Sequence, residues 1–349
     1  MHLAHTLPIV SFIITYYNEP LPLLAECLHS VACVRDCMAE RGMDRDDFEV
    51  IVVDDGSQLS PQAMLEEMDA DIRYVRQPNA GLSAARNKGL MMAQGEYVQF
   101  VDADDALLPH AYSTLCPQSR ASADMIMFRL TTQENCCQQD SLTGKTCTQA
   151  RQMRYDKQGE KSPQPLMSGP HYMLHHNLRA SACGYLFRRS MLGSLRFAEG
   201  LLHEDELFTP LLCLSMHTVC CHDVPAYYYR QRKHTITHSS TREQVDLRMD
   251  SVEEIIRRLQ LACATLLPDK RPALTRRVEQ LAADYIYNVY RLHAEPAARR
   301  KRLETLRQMH LLPLPLHPYT LPHAAFSLVS HLPHVLMDAL LRVMISPSE

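Results

Sequence analysis

The sequence predicts an α/β protein: a mostly parallel, two-sided sheet over the first two-thirds of the chain, then an α-helical extension. Three observations carry this. Short apolar runs, IVSFIIT (9–15), FEVIVVD (48–54) and YVQFV (97–101), alternate with stretches of helical periodicity, the pattern of strands buried on both faces. Each run stops at a polar cluster: Tyr17-Asn18, Asp54-Asp55, and Asp102 with Asp104. From about residue 240 the strand pattern ceases. Val252, Ile255, Ile256, Leu259 and Cys263, then Val278, Leu281, Tyr285, Val289 and Leu292, fall at helical spacing. These shifts place one domain at 1–238, with halves of about 1–130 and 131–238, and a helical region at 239–349.

In order along the chain, the first strand runs into YYNEP, and LLAECLHSVACV reads as a helix. The second strand ends at Asp54-Asp55-Gly56-Ser57, which is good turn chemistry. IRYVRQPN reads as a short strand and turn. GLSAARNKGLMMAQG is a helix opened by Gly81 and Ser83 and closed by Gly95, and YVQFVDAD is the next strand. ADMIMFRLTT is a further strand; residues 133–165 are polar, lack periodicity and read as loops. GYLFRR then suggests a strand, and HEDELFTPLL a turn entering a helix.

The chain of 349 residues is 46% apolar and 22% charged, enough for a substantial core. A formal net charge of -4 gives no nucleic-acid footprint. Twelve cysteines are present, but the opening MHLAHTLPIV has neither a basic start nor a long apolar run. Reduced thiols in the cytoplasm are therefore expected rather than a disulfide framework. HTVCCH (217–222) lacks the usual C-x-x-C metal spacing and reads as thiols on a strand. There is no apolar window of about 19 residues, and so no expected transmembrane helix.

The stretch FVDADDALLP (100–109) poses the chemical question. Asp102, Asp104 and Asp105 crowd one strand end, and carboxylates meeting at a rim repel unless a cation neutralises them. Hard divalent cations prefer oxygen, and magnesium-type ions take one or two carboxylates plus substrate phosphates. The cluster therefore points to Mg²⁺ or Mn²⁺ carrying a phosphorylated ligand. In open α/β sheets such ligands lie beyond the carboxyl ends of the strands.

At these residues the sequence resembles the family 2 glycosyltransferases of bacterial polysaccharide assembly, which have the GT-A nucleotide-sugar-binding fold. SFIITYYNEP matches the opening strand and Y-N turn, VVDDGS the second-strand motif, PNAGLSAARNKGL the R-N-x-G helix, FVDADD the metal-binding D-x-D, and LHEDELF the late E-D motif. They occur in the family's order over residues 9–235. YYYRQRKHTIT looks like the Tyr-Arg-rich segment that often follows, except that Lys233-His234-Thr235-Ile236 replaces the usual Arg-x-x-Ser-Ile ending.

The resemblance implies an inverting, metal-dependent transferase moving a sugar from a UDP-sugar to a glycan or polyprenyl-diphosphate-linked acceptor in surface polysaccharide biosynthesis. The nucleotide-sugar half would be 1–130 and the acceptor half 131–238. Tyr17 and Glu19, with Asp54 or Asp55, would surround the base and ribose, and Arg86 would contact base or diphosphate while Asn87 fixes its loop. Asp102 would meet the ribose or a metal-bound water, and Asp104 would ligate Mn²⁺ or Mg²⁺. Asp105 could instead cap the following helix. By family position Asp205 is the general base, with Glu204 or Glu206 facing the acceptor or steadying the loop. Arg230, Arg232 and His234 would clamp acceptor or diphosphate.

In the tail, the basic run Arg299–Arg302 precedes FSLVSHLPHVLMDALLRVMI, where Phe326, Val329, Leu336, Leu340 and Val343 share roughly one face. That pattern suits peripheral contact with the inner face of the cell membrane, packing on the catalytic domain, or a homodimer contact. Two other classes fit less well. A nucleotidyltransferase would want a glycine-rich basic loop after the first strand, where this chain has TYYNEPLPLL. A phospho-receiver has its acidic pair at the end of its first strand, whereas here a full strand and helix precede Asp54-Asp55.

Overall fold

A computed structural model describes residues 7–69, 71–115, 123–133, 166–231, 241–293, 295–316, 319 and 321–345. Two compact units emerge: Met1–Tyr172 with Arg179–Thr235, and Met173–Leu178 with Ile236–Glu349. The short Met173–Leu178 segment groups with the helices because Arg276 binds it. Arg276 Nη1 donates to the carbonyls of Met173 (2.6 Å) and His176 (2.5 Å), and Nη2 to Asn177 Oδ1 (2.9 Å).

The first unit is built on one sheet. Its strands are β1 (Val10–Tyr16), β2 (Phe48–Asp54), β3 (Arg73–Arg76), β4 (Tyr97–Asp102), β5 (Ala106–Leu107), β6 (Met125–Thr131), β7 (Tyr185–Arg188) and β8 (Val219–Tyr228). Their order is β3-β2-β1-β4-β7-β6-β8-β5. The first four run parallel, as do β6 and β8; β7 is antiparallel to β4 and β6, and β5 to β8. The expected mostly parallel sheet is thus found, interrupted by β7. Helices α1 (Leu21–Ala39), α2 (Gln62–Met68), α3 (Leu82–Met92), α4 (Pro109–Leu115), α5 (Gly169–His175) and α6 (Asp205–Cys213) connect the strands.

Register decides where the strand ends lie. Tyr16 pairs with Asp54, and Thr15 with Asp102, so β1, β2 and β4 finish level at one rim. All seven residues of β1 and of β2 are buried. Continuous burial explains the apolar runs: a strand covered on both faces has no solvent side to alternate with. At the opposite rim, buried Glu49 accepts from Ser11 Oγ (2.6 Å) and the Gln94 amide (2.9 Å) and pairs with Arg73.

The second unit holds α7 (Arg242–Thr265), α8 (Arg271–Leu292), α9 (Pro296–Gln308), α10 (Leu321–Ser330) and α11 (His334–Met344). The predicted periodicity is realised: Ile255, Ile256, Leu259, Val278, Leu281, Tyr285 and Val289 are all buried. Two arginines of the basic run are engaged within the helical unit. Arg299 is buried and donates to the His293 carbonyl (2.9 Å), and Arg302 pairs with Asp246, Asp250 and Glu253. Leu336, Leu340 and Val343 of α11 are exposed while Met337 and Leu341 are buried. Among the described residues no helix is long and apolar enough to cross a membrane.

Close packing of α3 on β1 requires a glycine in the R-N-x-G stretch. A Cβ on Gly89 would lie 2.2 Å from Ile13 Cγ2. Gly89→Ala should lower the urea midpoint, because overpacking typically costs about 1–3 kcal/mol and exceeds the roughly 1 kcal/mol by which a helix favours alanine. A midpoint unchanged or raised would show that the two elements have room to spare.

Candidate functional site

The rim of the parallel strands is assembled by loop-to-loop hydrogen bonds. After β1, Asn18 takes a left-handed backbone (φ 60°). Its amide donates to Ser57 Oγ (3.0 Å), and its Oδ1 accepts from the Gln58 amide (2.7 Å), which joins the β1 and β2 loops. The Tyr17 amide donates to Glu19 Oε2 (2.6 Å), and the Tyr17 ring stands out at 49% exposure. Such a ring is a ready surface for a planar base.

Asp54 and Asp55 are used differently from an open ligand pair. Asp54 is fully buried; Oδ1 accepts from the Ser57 amide (2.8 Å) and Oδ2 from Tyr74 Oη (2.8 Å). Asp55 is buried as well and accepts from Gln77 Nε2 (2.7 Å), Asn79 Nδ2 (3.2 Å) and the amides of Ala80 (3.0 Å) and Gly81 (2.8 Å). Together they fold the loop that leads into α3. Gly56 permits it, with φ at 77° and no room for a Cβ 2.7 Å from the Asn79 amide.

The end of β4 has a different balance. Asp102 and Asp104 are half-buried. Asp105 is almost wholly buried and accepts from Tyr227 Oη (2.7 Å) and the Arg230 amide (2.8 Å). It is therefore a tie between β4 and β8 rather than a helix cap. Burial, then the charges of Asp102 and Asp104, push its pKa up to about 8. Tyr227 Oη also accepts from the Asp102 amide (3.1 Å). Arg230 donates through Nε to the Asp104 carbonyl (2.8 Å) and through Nη2 to Glu26 (2.6 Å). Arg232 and His234 lie outside the described residues.

Arg86, on α3, connects this rim to the late acidic motif. Its guanidinium is buried; Nη2 donates to Asp102 Oδ1 (3.0 Å) and Nη1 to Glu204 Oε1 (2.5 Å). Phe100 and Phe197 lie under it, at 5.8 and 5.4 Å from ring centre. Burial opposes its charge, but Asp102 and the surrounding acidic groups outweigh that and raise its pKa. Asn87 steadies the far wall by donating to the Phe197 carbonyl (3.0 Å) and accepting from its amide (2.8 Å). Residues more than a hundred positions apart thus meet at one rim.

Asp205 opens α6 next to Glu204. Burial, then the neighbouring Glu204, pushes its carboxyl up to about 8, with Arg86 acting in the opposite direction. Glu206 is half-buried on the same turn. The structure therefore brings Arg86, Asp102, Glu204 and Asp205 together, sets Asp104 and Arg230 beside them along the rim, and keeps the carboxylates of Asp54 and Asp55 inside the protein.

Sequence reasoning missed two groups here. Tyr227 links Asp102 and Asp105. Cys183 is buried beside Asp102 and Arg86 and hydrogen-bonds Tyr227. No spacing signal marks either one. Among the described residues no three His, Cys, Asp or Glu side chains form a closed metal cage. Asp102 and Asp104 nevertheless fit a magnesium-type ion, which takes one or two carboxylates when phosphates complete its shell. The HTVCCH stretch has the strand role expected of it: Cys220 and Cys221 sit half-buried on β8, and the eight cysteines among the described residues are free.

The profile of Glycosyl transferase family 2 matches residues 11–192. The chain belongs to this family. EpsH of Bacillus subtilis (strain 168) is 27% identical to it over 234 residues, 64% of this chain and 61% of EpsH. Glycosyltransferase GlyA of Streptococcus pneumoniae serotype 4 is 29% identical over 223 residues, 60% of this chain and 30% of GlyA. The matched region thus spans under two-thirds of either relative. Residues 1–349 of S. aureus TarS, crystallised with UDP-GlcNAc, superpose with a TM-score of 0.63 at 17% identity, over 97% of this chain and 90% of that one. That likeness supports the expected GT-A fold for this family 2 glycosyltransferase, whose R-N-x-G, D-x-D and E-D motifs are the three that Arg86 joins.

The raised pKa of Asp205 predicts a pH signature. The folded state holds its proton more tightly than the unfolded chain, whose value is near 3.8. The stability this supplies is present below that value and is lost as pH rises to about 8. Asp205→Asn, which cannot ionise, should gain melting temperature relative to the unsubstituted protein across that window and not below it. A difference that stays flat from pH 4 to 8 would refute the buried, proton-holding state.

Proposed function

We propose that this glycosyltransferase moves a sugar from a UDP-sugar to a glycan or polyprenyl-diphosphate-linked acceptor of a surface polysaccharide, with inversion and with Mn²⁺ or Mg²⁺. One observation carries the reading: the buried Arg86 pairs with both Asp102 and Glu204, which sets Asp205 at the rim where β4 ends. A metal-and-diphosphate side and a base side then face one cleft within the 1–238 domain. The binding of UDP-GlcNAc by TarS, which has the same fold, supports a uridine donor.

In this reading Tyr17 offers its exposed ring to the base, Glu19 holds the Tyr17 loop, and Asp54 and Asp55 act through the loops they shape. Asp104 would ligate the divalent ion, with Asp102 meeting the ribose or a metal-bound water, and the ion would supply positive charge to the diphosphate. Arg230 adds charge at the same rim. Arg86 keeps Asp102 and Glu204 fixed, so the two sides of the cleft cannot drift apart. Asp205 takes the proton of the acceptor hydroxyl as its oxygen attacks the anomeric carbon from the face opposite the leaving diphosphate. Glu204 and Glu206 bracket that base. The acceptor enters from the 131–238 half, and Arg232 and His234 contact the acceptor or the diphosphate. The helical region 239–349 contacts the inner membrane face or a second copy through the exposed side of α11.

A nucleotidyltransferase is not favoured. The loop after β1 has no glycine, and Asn18 ties it to the β2 loop rather than opening it as a triphosphate cradle.

Two measurements test this. In a thermal-shift panel of UDP, GDP, CDP and dTDP, UDP with Mn²⁺ should stabilise most, since a ligand of the native state raises apparent stability. Asp104→Ala should remove the metal-dependent part of that shift. Asp205→Asn should keep it but lower kcat by roughly 10²–10⁴-fold. Stabilisation by GDP alone, or full activity in Asp205→Asn, would discard the uridine donor or the base, respectively. Because the working base must be proton-free and its carboxyl is held up to about 8, kcat/KM should climb with pH to a plateau above that value. A profile already level at pH 6 would assign the proton to another group.

A further inference from the structure

The D-A-D-D turn that ends β4 is gripped from β8 by Tyr227 and Arg230. We propose that the buried Tyr227–Asp105 pair is a positioning device: it fixes the turn that carries Asp104 and so sets the affinity of this chain for the divalent ion. The inference rests on the metal reading of the rim given above.

The ties reach every residue of the turn. Tyr227 Oη accepts from the Asp102 amide (3.1 Å) and donates to Asp105 Oδ2 (2.7 Å). Asp105 Oδ1 accepts from the Arg230 amide (2.8 Å), and the Asp105 amide donates to the Asp102 carbonyl (3.0 Å). The Ala103 amide donates to the Thr15 carbonyl of β1 (3.2 Å), and the Asp104 carbonyl accepts from Arg230 Nε (2.8 Å).

Tyr227 can serve as a strut because it is itself fixed. It is fully buried, and in the sheet it pairs with Leu107 of β5 on one side and Leu130 of β6 on the other. The Leu108 amide donates to the Ala226 carbonyl (2.9 Å). The chain leaving the turn is therefore clamped to the same strand that holds the turn.

Packing alone does not call for this pair. A phenylalanine ring fills the same space, and an apolar partner avoids the cost of taking a carboxylate out of water. What the hydroxyl and the carboxylate add is direction. Asp102 and Asp104 carry like charges two residues apart, and their repulsion favours opening of the turn. An aspartate side chain has two torsions, so its carboxylate goes where its backbone goes. Magnesium-type ions demand near-octahedral geometry at about 2.0–2.1 Å. A loose turn has to be ordered by the ion itself, which lowers affinity. Groups that orient a metal ligand are typically worth about 10–100-fold in metal affinity.

The test measures the apparent Mn²⁺ dissociation constant of the full chain with saturating UDP, by water-proton relaxation, a readout that needs no turnover. Tyr227→Phe removes only the hydroxyl and should raise that constant about 10–100-fold, with UDP binding in the absence of metal unchanged. Tyr112→Phe is the control: it removes another fully buried hydroxyl, bonded to the Gln99 amide, and should leave Mn²⁺ affinity unchanged. Asp105→Asn and Asp105→Ala remove the same charge. The asparagine side chain can still accept from the Arg230 amide and donate to Tyr227 Oη, so Asp105→Asn should bind Mn²⁺ about tenfold more tightly than Asp105→Ala. That comparison decides the matter even if Tyr227→Phe does not fold. Affinity in folded Tyr227→Phe within about threefold of the unsubstituted protein, equal affinity of the two Asp105 variants, or an equal loss in Tyr112→Phe overturns the positioning role and leaves the metal reading standing. If the unsubstituted chain takes up no Mn²⁺ with UDP, the metal reading itself fails and this inference with it.

Discussion

The buried guanidinium of Arg86, held between Asp102 at the end of β4 and Glu204 before α6, is the contact on which the rest of the site depends. A charge taken out of water is expensive, and it is tolerated only when its partners are placed well. Here both terminal nitrogens are used and two aromatic rings pack against the plane. Breaking such a pair by removing one partner typically costs about 3–5 kcal/mol, because the survivor is left buried and unpaired. The contribution is therefore to position more than to net stability. Three chain segments must converge before the charge is satisfied, so no other alignment of α3, β4 and α6 is equally good.

That constraint fixes the electrostatics of the rim. Arg86 neutralises part of the acidic cluster, and what remains is unbalanced. Asp105 and Asp205 are both pushed up to about 8, first by burial and then by neighbouring carboxylates. In both, burial is the larger cause and the neighbouring carboxylates the smaller, so the rim gathers acids in a partly dehydrated place. A site of this kind gains from a cation and from a ligand that brings its own counter-charge.

Much of this was legible in the sequence. Strands buried on both faces leave continuous apolar runs, so β1, β2 and β4 could be read directly, as could the polar ends that line the rim. The family resemblance, through the order of its motifs, also assigned the late acidic motif to the site. What could not be read is set by tertiary pairing. The R-N-x-G arginine suggested a ligand contact, and its pairing through both terminal nitrogens with Asp102 and Glu204 could not be read from the sequence. The basic run Arg299–Arg302 suited membrane contact, packing or a dimer contact, and the sequence could not show that Arg302 turns to the carboxylates of another helix, Asp246, Asp250 and Glu253. Cys183 and Tyr227 had no periodicity or motif to mark them, because their role comes from β7 and β8 folding back against β4.

The two acidic pairs show why a motif must be followed by a count of its hydrogen-bond donors. Asp54-Asp55 and Asp102-x-Asp104-Asp105 have similar composition, similar strand-end placement and the same turn chemistry. Around Asp54 and Asp55 the protein supplies two backbone or hydroxyl donors to the first and four amide donors to the second. Those hydrogen bonds spread the charge of the two carboxylates into the loop before α3. At the end of β4 Asp102 shares Arg86 with Glu204, and Asp105, which accepts from Tyr227 and one amide, is held up to about 8 first by burial and then by Asp102 and Asp104.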